Sequence, residues 1–153
     1  MSERSVDVIE SVQLVVGMEI HVELATRSKM FTRAPSPAHP DVEDAEPNTL
    51  LDPVVLALPG AMPVMNRAAV EMSMLVGMAL GCSIAERSVW DRKSYFYPDL
   101  PKAYQLSQYD LPLCFDGSVD VPAMDEAGWI EHGGDGCRVG IVREQLEEDA
   151  GTL

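Results

Sequence analysis

All four tyrosines of this 153-residue chain lie within one stretch of twenty residues, Asp91–Asp110. The same stretch holds two of the three lysines, Lys93 and Lys102, and two prolines that restrict the backbone. Rigid loops that present positioned polar groups are typical of binding and catalytic sites. An aromatic turn that packs on a core, with its charges in solvent, is the alternative that the composition leaves open.

The charge balance and the cysteines limit the class of protein. The chain has 25 acidic residues against 11 Lys and Arg, a net charge of -14. Because nucleic-acid binding relies on basic side chains that neutralise phosphates, we expect this chain by itself to bind RNA poorly. The absence of a long apolar run predicts no membrane span. Three widely spaced cysteines favour a reducing, cytoplasmic setting over a disulfide framework or a zinc motif.

The first half of the chain predicts a leader, a strand and a loop. We predict a polar leader over residues 1–12 and one domain over residues 13–153. Alternating apolar residues predict a strand over Gln13–Leu24, with Glu19, His21 and Glu23 on one face. Residues Thr32–Asp52 are rich in Pro, Asp and Glu and predict a long loop.

One helix is predicted, from its N-cap Asn66 to Leu80, with Gly81 ending it. Val70, Met74 and Met78 would line its core face, where methionine is an ordinary core residue.

The second half predicts short strands and turns. Asp116-Gly117 and the glycine-rich residues 133–136 are turn signals, the first typical of a β-hairpin. Cys137–Val142 predicts a strand that leads into Glu147-Glu148-Asp149. Strands outnumber helices without βαβ spacing, so the predicted fold class is α+β with a largely antiparallel sheet.

Two acidic clusters are candidates for a cation site. Glu19, His21 and Glu23 would share one strand face, and Glu147, Glu148 and Asp149 are adjacent in sequence. If the clusters meet, their oxygen-rich lining would suit Mg²⁺ or Mn²⁺. The strand face could equally be a solvated one.

Four ordered segments resemble one known family. They are VGMEIHVELATRSKMF (Val16–Phe31), AEPNTLLDPVVLALPGAMPVMNRAAVE (Ala45–Glu71), DRKSYFYPDLPKAYQLSQYD (Asp91–Asp110) and VGIVREQLEEDAG (Val139–Gly151). Together they resemble the B subunits of aspartyl/glutamyl-tRNA amidotransferases, the GatB/GatE family.

The resemblance implies a fold, ligands and roles. It implies an incomplete cradle domain similar to glutamine synthetase, which binds Mg²⁺ and ATP. Glu19, His21 and Glu147 match the family's metal ligands. Glu148 matches a carboxylate at the mouth of the family's ammonia channel, and Lys93 and Lys102 match polar positions that line the channel and the site. Apart from the resemblance, Arg143 and Tyr97 are candidates for contact with ATP, and Arg143 could equally form a structural salt bridge with the acidic cluster.

The implied reaction phosphorylates and then amidates Glu-tRNA(Gln), Asp-tRNA(Asn) or both. Ammonia would come from glutamine hydrolysed in an amidase, the A subunit, and a small C subunit would complete the assembly. Misacylated tRNA would be held mostly by helical and tail domains that this chain lacks, so we expect a fragment without activity of its own. A glutamine-synthetase-like ligase acting on a free carboxylate, and a non-catalytic module that docks on the amidase, are the alternatives.

The chain departs from the family pattern at several positions. The region of the family's zinc-binding cysteines reads Pro35-Ser36 and Leu51-Asp52-Pro53 here, so no zinc is predicted. Beside the acidic cluster, Gln145 replaces a histidine and Glu144 replaces an apolar residue.

Overall fold

The computed structural model describes residues 12–42, 44–98 and 100–148. The predicted leader, residues 1–12, lies almost entirely outside them. No helix within the described ranges has the length and apolarity needed to cross a membrane. The elements are a 3₁₀ helix at Pro40–Val42, α1 (Arg67–Ala79), β1 (Ser83–Ile84), β2 (Asp91–Ser94), β3 (Tyr104–Ser107), β4 (Cys114–Val121) and β5 (Cys137–Glu144).

In the described part of the chain, the strands form two antiparallel sheets. One has three strands in the order β1-β4-β5, and the other is the β2–β3 hairpin. A single α-helix with antiparallel sheets, over the residues that the structure describes, confirms the predicted α+β class. The similarity of this domain to a glutamine-synthetase cradle stays a prediction.

The strand predicted for Gln13–Leu24 is wrong. These residues form no regular secondary structure, and Met18 and Ile20 are each 77% exposed. Alternation makes one side of an extended chain apolar, but a strand is stable only when a neighbour accepts its backbone hydrogen bonds. No described residue pairs with this run. Leu24, at its end, packs against the core.

The predicted helix is confirmed by α1 and its caps. Asn66 is the N-cap, with extended backbone, and its side chain accepts a hydrogen bond of 2.9 Å from the N–H of Ala68. The same amide donates to the carbonyl of Ser28 at 2.9 Å, so the cap also holds the preceding loop. Leu80 closes the helix, and Gly81 follows in the left-handed region with a φ of 67°.

The core-facing side of α1 differs in part from the prediction. Val70 and Met74 pack against the core, whereas Met78 is 63% exposed. The buried positions are small residues spaced four apart, Ala69, Ser73 and Gly77. A Cβ at Gly77 would lie 2.4 Å from the Sγ of Cys114, so the helix backbone lies directly against β4. This close approach turns the small residues inward and leaves Met78 outside.

The hairpin predicted at Asp116-Gly117 is also wrong, because both residues lie inside β4. Asp116 has a φ of 54°, and a Cβ at Gly117 would lie 2.6 Å from the carbonyl oxygen of Leu80. The pair therefore marks a local bend where β4 meets the end of α1. Residues 122–136 join β4 to β5 and include the predicted glycine-rich turn.

The core extends into the segment that follows β5. Its buried members are Leu113, Cys114 and Leu146. Leu146 lies within residues 145–148, which have no regular secondary structure. Because Leu146 is buried, it anchors the backbone just before Glu147 and Glu148.

Candidate functional site

Residues 145–148 run from the end of β5 to the β2–β3 hairpin. The N–H of Glu148 donates to the carbonyl of Leu106 at 2.8 Å. The side-chain amide of Gln105 donates to the carbonyl of Glu148, also at 2.8 Å. The acidic segment thereby becomes a partner of β3.

One face of the hairpin meets this segment. Lys93 lies opposite Gln105, and Asp91 lies opposite Ser107. Because side chains alternate along a strand, these four residues share a face. Three of them, Lys93, Gln105 and Ser107, hydrogen-bond to Glu147 or Glu148.

Glu147 is the more open of the two acids. The Nζ of Lys93 lies 3.1 Å from Oε1, and the hydroxyl of Ser107 donates to Oε2 at 2.5 Å. The side chain of Glu147 is 21% exposed and that of Lys93 is 55% exposed. Both charges can therefore meet a ligand that approaches from solvent.

Glu148 and Lys102 form an enclosed ion pair. Their side chains are 13% and 8% exposed, and Lys102 donates to Oε1 of Glu148. The other carboxylate oxygen accepts from the N–H of Leu106 at 3.1 Å. The ammonium of Lys102 also lies 5.2 Å from the ring centroid of Tyr104, a favourable contact for a desolvated cation.

The turn before β3 aims Lys102 at the site. Ala103 has a φ of 59°, a left-handed conformation that a residue with a Cβ adopts at a cost. Its carbonyl accepts from the N–H of Tyr95 at 3.0 Å, and its N–H donates to Leu100 at 3.0 Å. These bonds hold the reversal that turns Lys102 inward.

A cavity of about 370 Å³ adjoins this lysine. Most of its lining residues are apolar by type, but polar atoms make up most of the lining surface, so a small ligand placed there would meet largely polar groups, the cation of Lys102 among them. The lining residues are Val54, Ala57, Leu58, Ala61, Pro63, Pro101, Lys102 and Tyr104.

The three residues expected to bind Mg²⁺ are not gathered as a set. Glu19 and His21 lie side by side, with Oε1 and Nε2 3.4 Å apart, on the exposed run before the core. Glu147 is occupied by Lys93 and Ser107. Over residues 12–42, 44–98 and 100–148, no three His, Cys, Asp or Glu side chains are grouped so as to hold a metal ion. Asp149 lies outside the described residues.

The two residues expected to contact ATP lie elsewhere. The guanidinium of Arg143 stacks over the ring of Tyr109, 4.5 Å from its centroid, and donates to Gln145 at 3.0 Å. Tyr97 is 65% exposed and packs against Tyr95 with ring centroids 4.9 Å apart. Their roles toward ATP stay predictions.

Glu144, one of the departures from the family pattern, lies beside a buried thiol. Burial, followed by a hydrogen bond to Glu144, raises the pKa of Cys114 to about 12. The thiol therefore stays protonated and inert at neutral pH.

Sequence reasoning missed three polar residues of β3 and its end: Gln105, Ser107 and Gln108. All three are buried, with 6%, 7% and 1% exposure respectively. A signal was available for Gln105 and Ser107, which flank Leu106 at alternate positions in the tyrosine-rich stretch, whereas Gln108 lies next to Ser107 and does not fit that alternation.

Comparison with known proteins supplies the family. Residues 14–153 match the GatB/GatE catalytic domain. The chain is 51% identical over 145 residues to a Thermobifida fusca protein named as the B subunit of aspartyl/glutamyl-tRNA(Asn/Gln) amidotransferase, covering 95% of this chain and 26% of the relative. A protein of the same name from Corynebacterium diphtheriae is 51% identical, and the match covers 96% of this chain and 27% of the relative. Another, from Caldicellulosiruptor saccharolyticus, is 48% identical, and the match covers 92% of this chain and 26% of the relative. The chain thus spans about a quarter of the length of these relatives, and it belongs to the GatB/GatE catalytic domain family.

Proposed function

We propose that this chain forms part of the amidation site of a tRNA-dependent amidotransferase. The observation that carries the proposal is the adjacent pair Glu147 and Glu148, each joined to a lysine of the tyrosine-rich stretch. Family membership supplies the reaction class, and the names of the relatives supply the substrates, aminoacyl groups on tRNA(Asn) or tRNA(Gln). The amidase (the A subunit), the small C subunit and misacylated tRNA are the proposed partners of the complete protein.

The first proposed step activates a carboxylate. An oxygen of the Glu or Asp side chain on tRNA attacks the γ-phosphorus of ATP, and the bond to the bridging oxygen of ADP breaks. Such a transfer depends on positioning and on neutralising phosphate charge. Lys93 suits this role because it is half-exposed beside Glu147. Arg143 and Tyr97 are proposed to contact ATP in the complete subunit.

The second proposed step replaces phosphate with nitrogen. Ammonia attacks the carbonyl carbon of the acyl phosphate, the carbon–oxygen bond to phosphate breaks, and the nitrogen loses a proton. A carboxylate at the point of arrival can accept that proton. Glu148 is proposed for it, since it pairs with Lys102 at the edge of the 370 Å³ cavity.

Mg²⁺ is proposed to bind the complete subunit through Glu19, His21 and Glu147. The described residues do not bring these three together, so they do not by themselves form a metal site. The roles proposed for Lys93 and Glu148 rest instead on the contacts of Lys93 with Glu147 and of Lys102 with Glu148.

The test replaces each carboxylate in the full-length subunit, assembled with its partner subunits. Glu147→Gln and Glu148→Gln should each lower the rate of amidated tRNA formation by about 100-fold, the usual size of a lost acid–base or charge contribution. Glutamine hydrolysis should persist, because the amidase site lies on another subunit. Glu126→Gln alters an exposed carboxylate outside the site and serves as the control.

Two outcomes would reject the proposal. Normal amidation in both site variants would remove Glu147 and Glu148 from the chemistry. Amidation of free glutamate as fast as of misacylated tRNA would favour a glutamine-synthetase-like ligase.

A further inference from the structure

Gln108 is one of the two largest fully buried side chains in the described part of the chain, at 1% exposure. It follows β3 directly, next to the Ser107 that contacts Glu147. A buried primary amide is stable only when its donors and acceptors are paired. The two proposed chemical steps give Gln108 no role.

The amide of Gln108 joins three separate segments. Its oxygen accepts from the N–H of Leu113 at 3.2 Å and from the N–H of Leu146 at 3.0 Å. Its nitrogen donates to the hydroxyl of Ser88 at 2.5 Å and, more weakly, to the carbonyl of Val89 at 3.5 Å. Backbone N–H groups can only donate, so the two N–H contacts fix which end of the amide is oxygen.

The contact with Leu146 bears directly on the acidic pair next to it in sequence. The strand β5 ends at Glu144, so residues 145–148 lie beyond its ladder. Gln108 holds this segment at Leu146, and the carbonyl of Leu106 holds it at the N–H of Glu148, 2.8 Å away. Glu147 lies between these two attachments. Its carboxylate, which contacts Lys93 and Ser107, is therefore carried by backbone held on both sides.

We infer that Gln108 is a positioning residue for Glu147 and Glu148, acting through the N–H of Leu146. The inference rests on the proposed function, in which Glu148 accepts a proton and Glu147 pairs with Lys93. Misplacement of a reacting group by about 1 Å can lower a rate by about 100-fold. A single buried amide can therefore control the site without touching a substrate.

Three variants of the full-length subunit in its assembled complex test this inference. Gln108→Leu removes both halves of the amide. Gln108→Glu keeps the acceptor, and its protonated form restores a donor in nearly the same shape. Ser88→Ala is the matched control, because it removes another partner of the same amide and leaves the bond to Leu146 in place.

We expect Gln108→Leu to lower kcat for amidation by about 100-fold, with glutamine hydrolysis unchanged. For Gln108→Glu, the amidation rate relative to wild type at the same pH should rise toward one as the pH falls. Protonation of the introduced carboxylate removes the buried charge and restores the hydrogen-bond donor. Ser88→Ala should stay within about twofold of wild type. Amide hydrogen exchange over residues 145–148 should quicken by about tenfold in Gln108→Leu and not in Ser88→Ala, as expected when a protecting hydrogen bond is lost.

Several results would overturn the inference. Equal loss in Gln108→Leu and Ser88→Ala would mean that the amide only supports the fold, and a wild-type rate in Gln108→Leu would exclude any role. If Gln108→Leu does not fold, a loss in Gln108→Glu that is independent of pH would count against positioning. If the Gln108 variants are active while Glu147→Gln and Glu148→Gln are inactive, the positioning inference is rejected and the proposed function stands. If Glu147→Gln and Glu148→Gln are themselves active, the proposed function is rejected.

Discussion

Lys102 and Glu148 form an ion pair whose members are separated by 46 positions in sequence and are 8% and 13% exposed in the fold. Two charges withdrawn from water are stable together only when further hydrogen bonds compensate for lost hydration. The N–H of Leu106 supplies such a bond to Glu148. Removal of either charge would leave the other enclosed without its counter-charge.

We predict that Lys102→Met lowers the stability of the subunit by about 3 kcal/mol, because Glu148 keeps its charge and loses its partner. Chemical denaturation of the full-length subunit, followed by fluorescence of its tryptophans, measures the change. Amidation should fall in the same variant.

The double variant Lys102→Met with Glu148→Gln separates structure from chemistry. It should recover most of the lost stability, since no unpaired charge remains, yet stay inactive in amidation. Arg67→Met breaks the exposed pair of Arg67 with Glu71 and should change stability little. If Lys102→Met and Arg67→Met lower the free energy of unfolding equally, the claim that burial makes the Lys102–Glu148 pair more costly to break is wrong.

The contact between α1 and β4 predicts a second effect. Gly77→Ala would place a Cβ 2.4 Å from the Sγ of Cys114, a fully buried atom with little room to move. Overpacking of this kind costs about 1–3 kcal/mol, against about 1 kcal/mol gained in helix propensity, so a net loss of about 1 kcal/mol is expected. Gly140→Ala, where a Cβ meets nothing within 4 Å, is the control and should not destabilise. The midpoints of thermal unfolding compare the two, and equal midpoints would show that α1 can move away from β4.

Local signals in the sequence were enough for α1 and β5. The cap at Asn66 and the stop at Gly81 act within one turn of the helix, so no distant residue was needed to place it. The strand Cys137–Glu144 likewise extends the predicted Cys137–Val142 by two residues.

Features that depend on distant partners could not be predicted. The run Gln13–Leu24 alternates like a strand, but pattern alone does not provide a neighbouring strand. Met78 obeys helical spacing, yet the approach of Gly77 to Cys114 decides which side of α1 is buried. In the site, Lys93 and Glu147 meet across 54 positions. The family resemblance named both residues, and only the fold shows that they contact each other.

A third prediction concerns Asp52, which begins a helical turn ahead of Pro53. Its Oδ1 accepts from the N–H groups of Val54 and Val55, each at 2.9 Å. Burial acts to raise the pKa of Asp52, but these bonds, with others from Thr32 and Arg33, lower it overall. A depressed folded-state pKa stabilises the fold above the unfolded value, and that stabilisation is lost as pH falls through the folded one.

Asp52→Ala should therefore lower stability by about 1 kcal/mol at neutral pH, the usual effect of a lost cap, and the difference should shrink in acid. Asp52→Asn, which keeps an oxygen acceptor, should stay close to wild type. Denaturation at neutral pH and near pH 3 checks both statements. If the difference in free energy of unfolding between wild type and Asp52→Ala is the same at both pH values, the ionised carboxylate is not the source of that difference.

The cysteines yield a last prediction, because their surroundings differ sharply. Cys114 is fully buried, and burial together with Glu144 raises its pKa to about 12, whereas Cys137 is exposed. Since the thiolate is the nucleophile, iodoacetamide at pH 8 should label Cys137 quickly and Cys114 at least about 100-fold more slowly. Peptide mass mapping measures both rates, and in denaturant the two should become similar. Because the pKa of Cys114 is higher in the folded state, its contribution to the free energy of unfolding is fully present below the pKa of an unfolded thiol, near 8.5. That contribution is lost as the pH rises toward 12. Comparable labelling of Cys114 and Cys137 in the native protein would show that the contact between α1 and β4 opens far more readily than its packing implies.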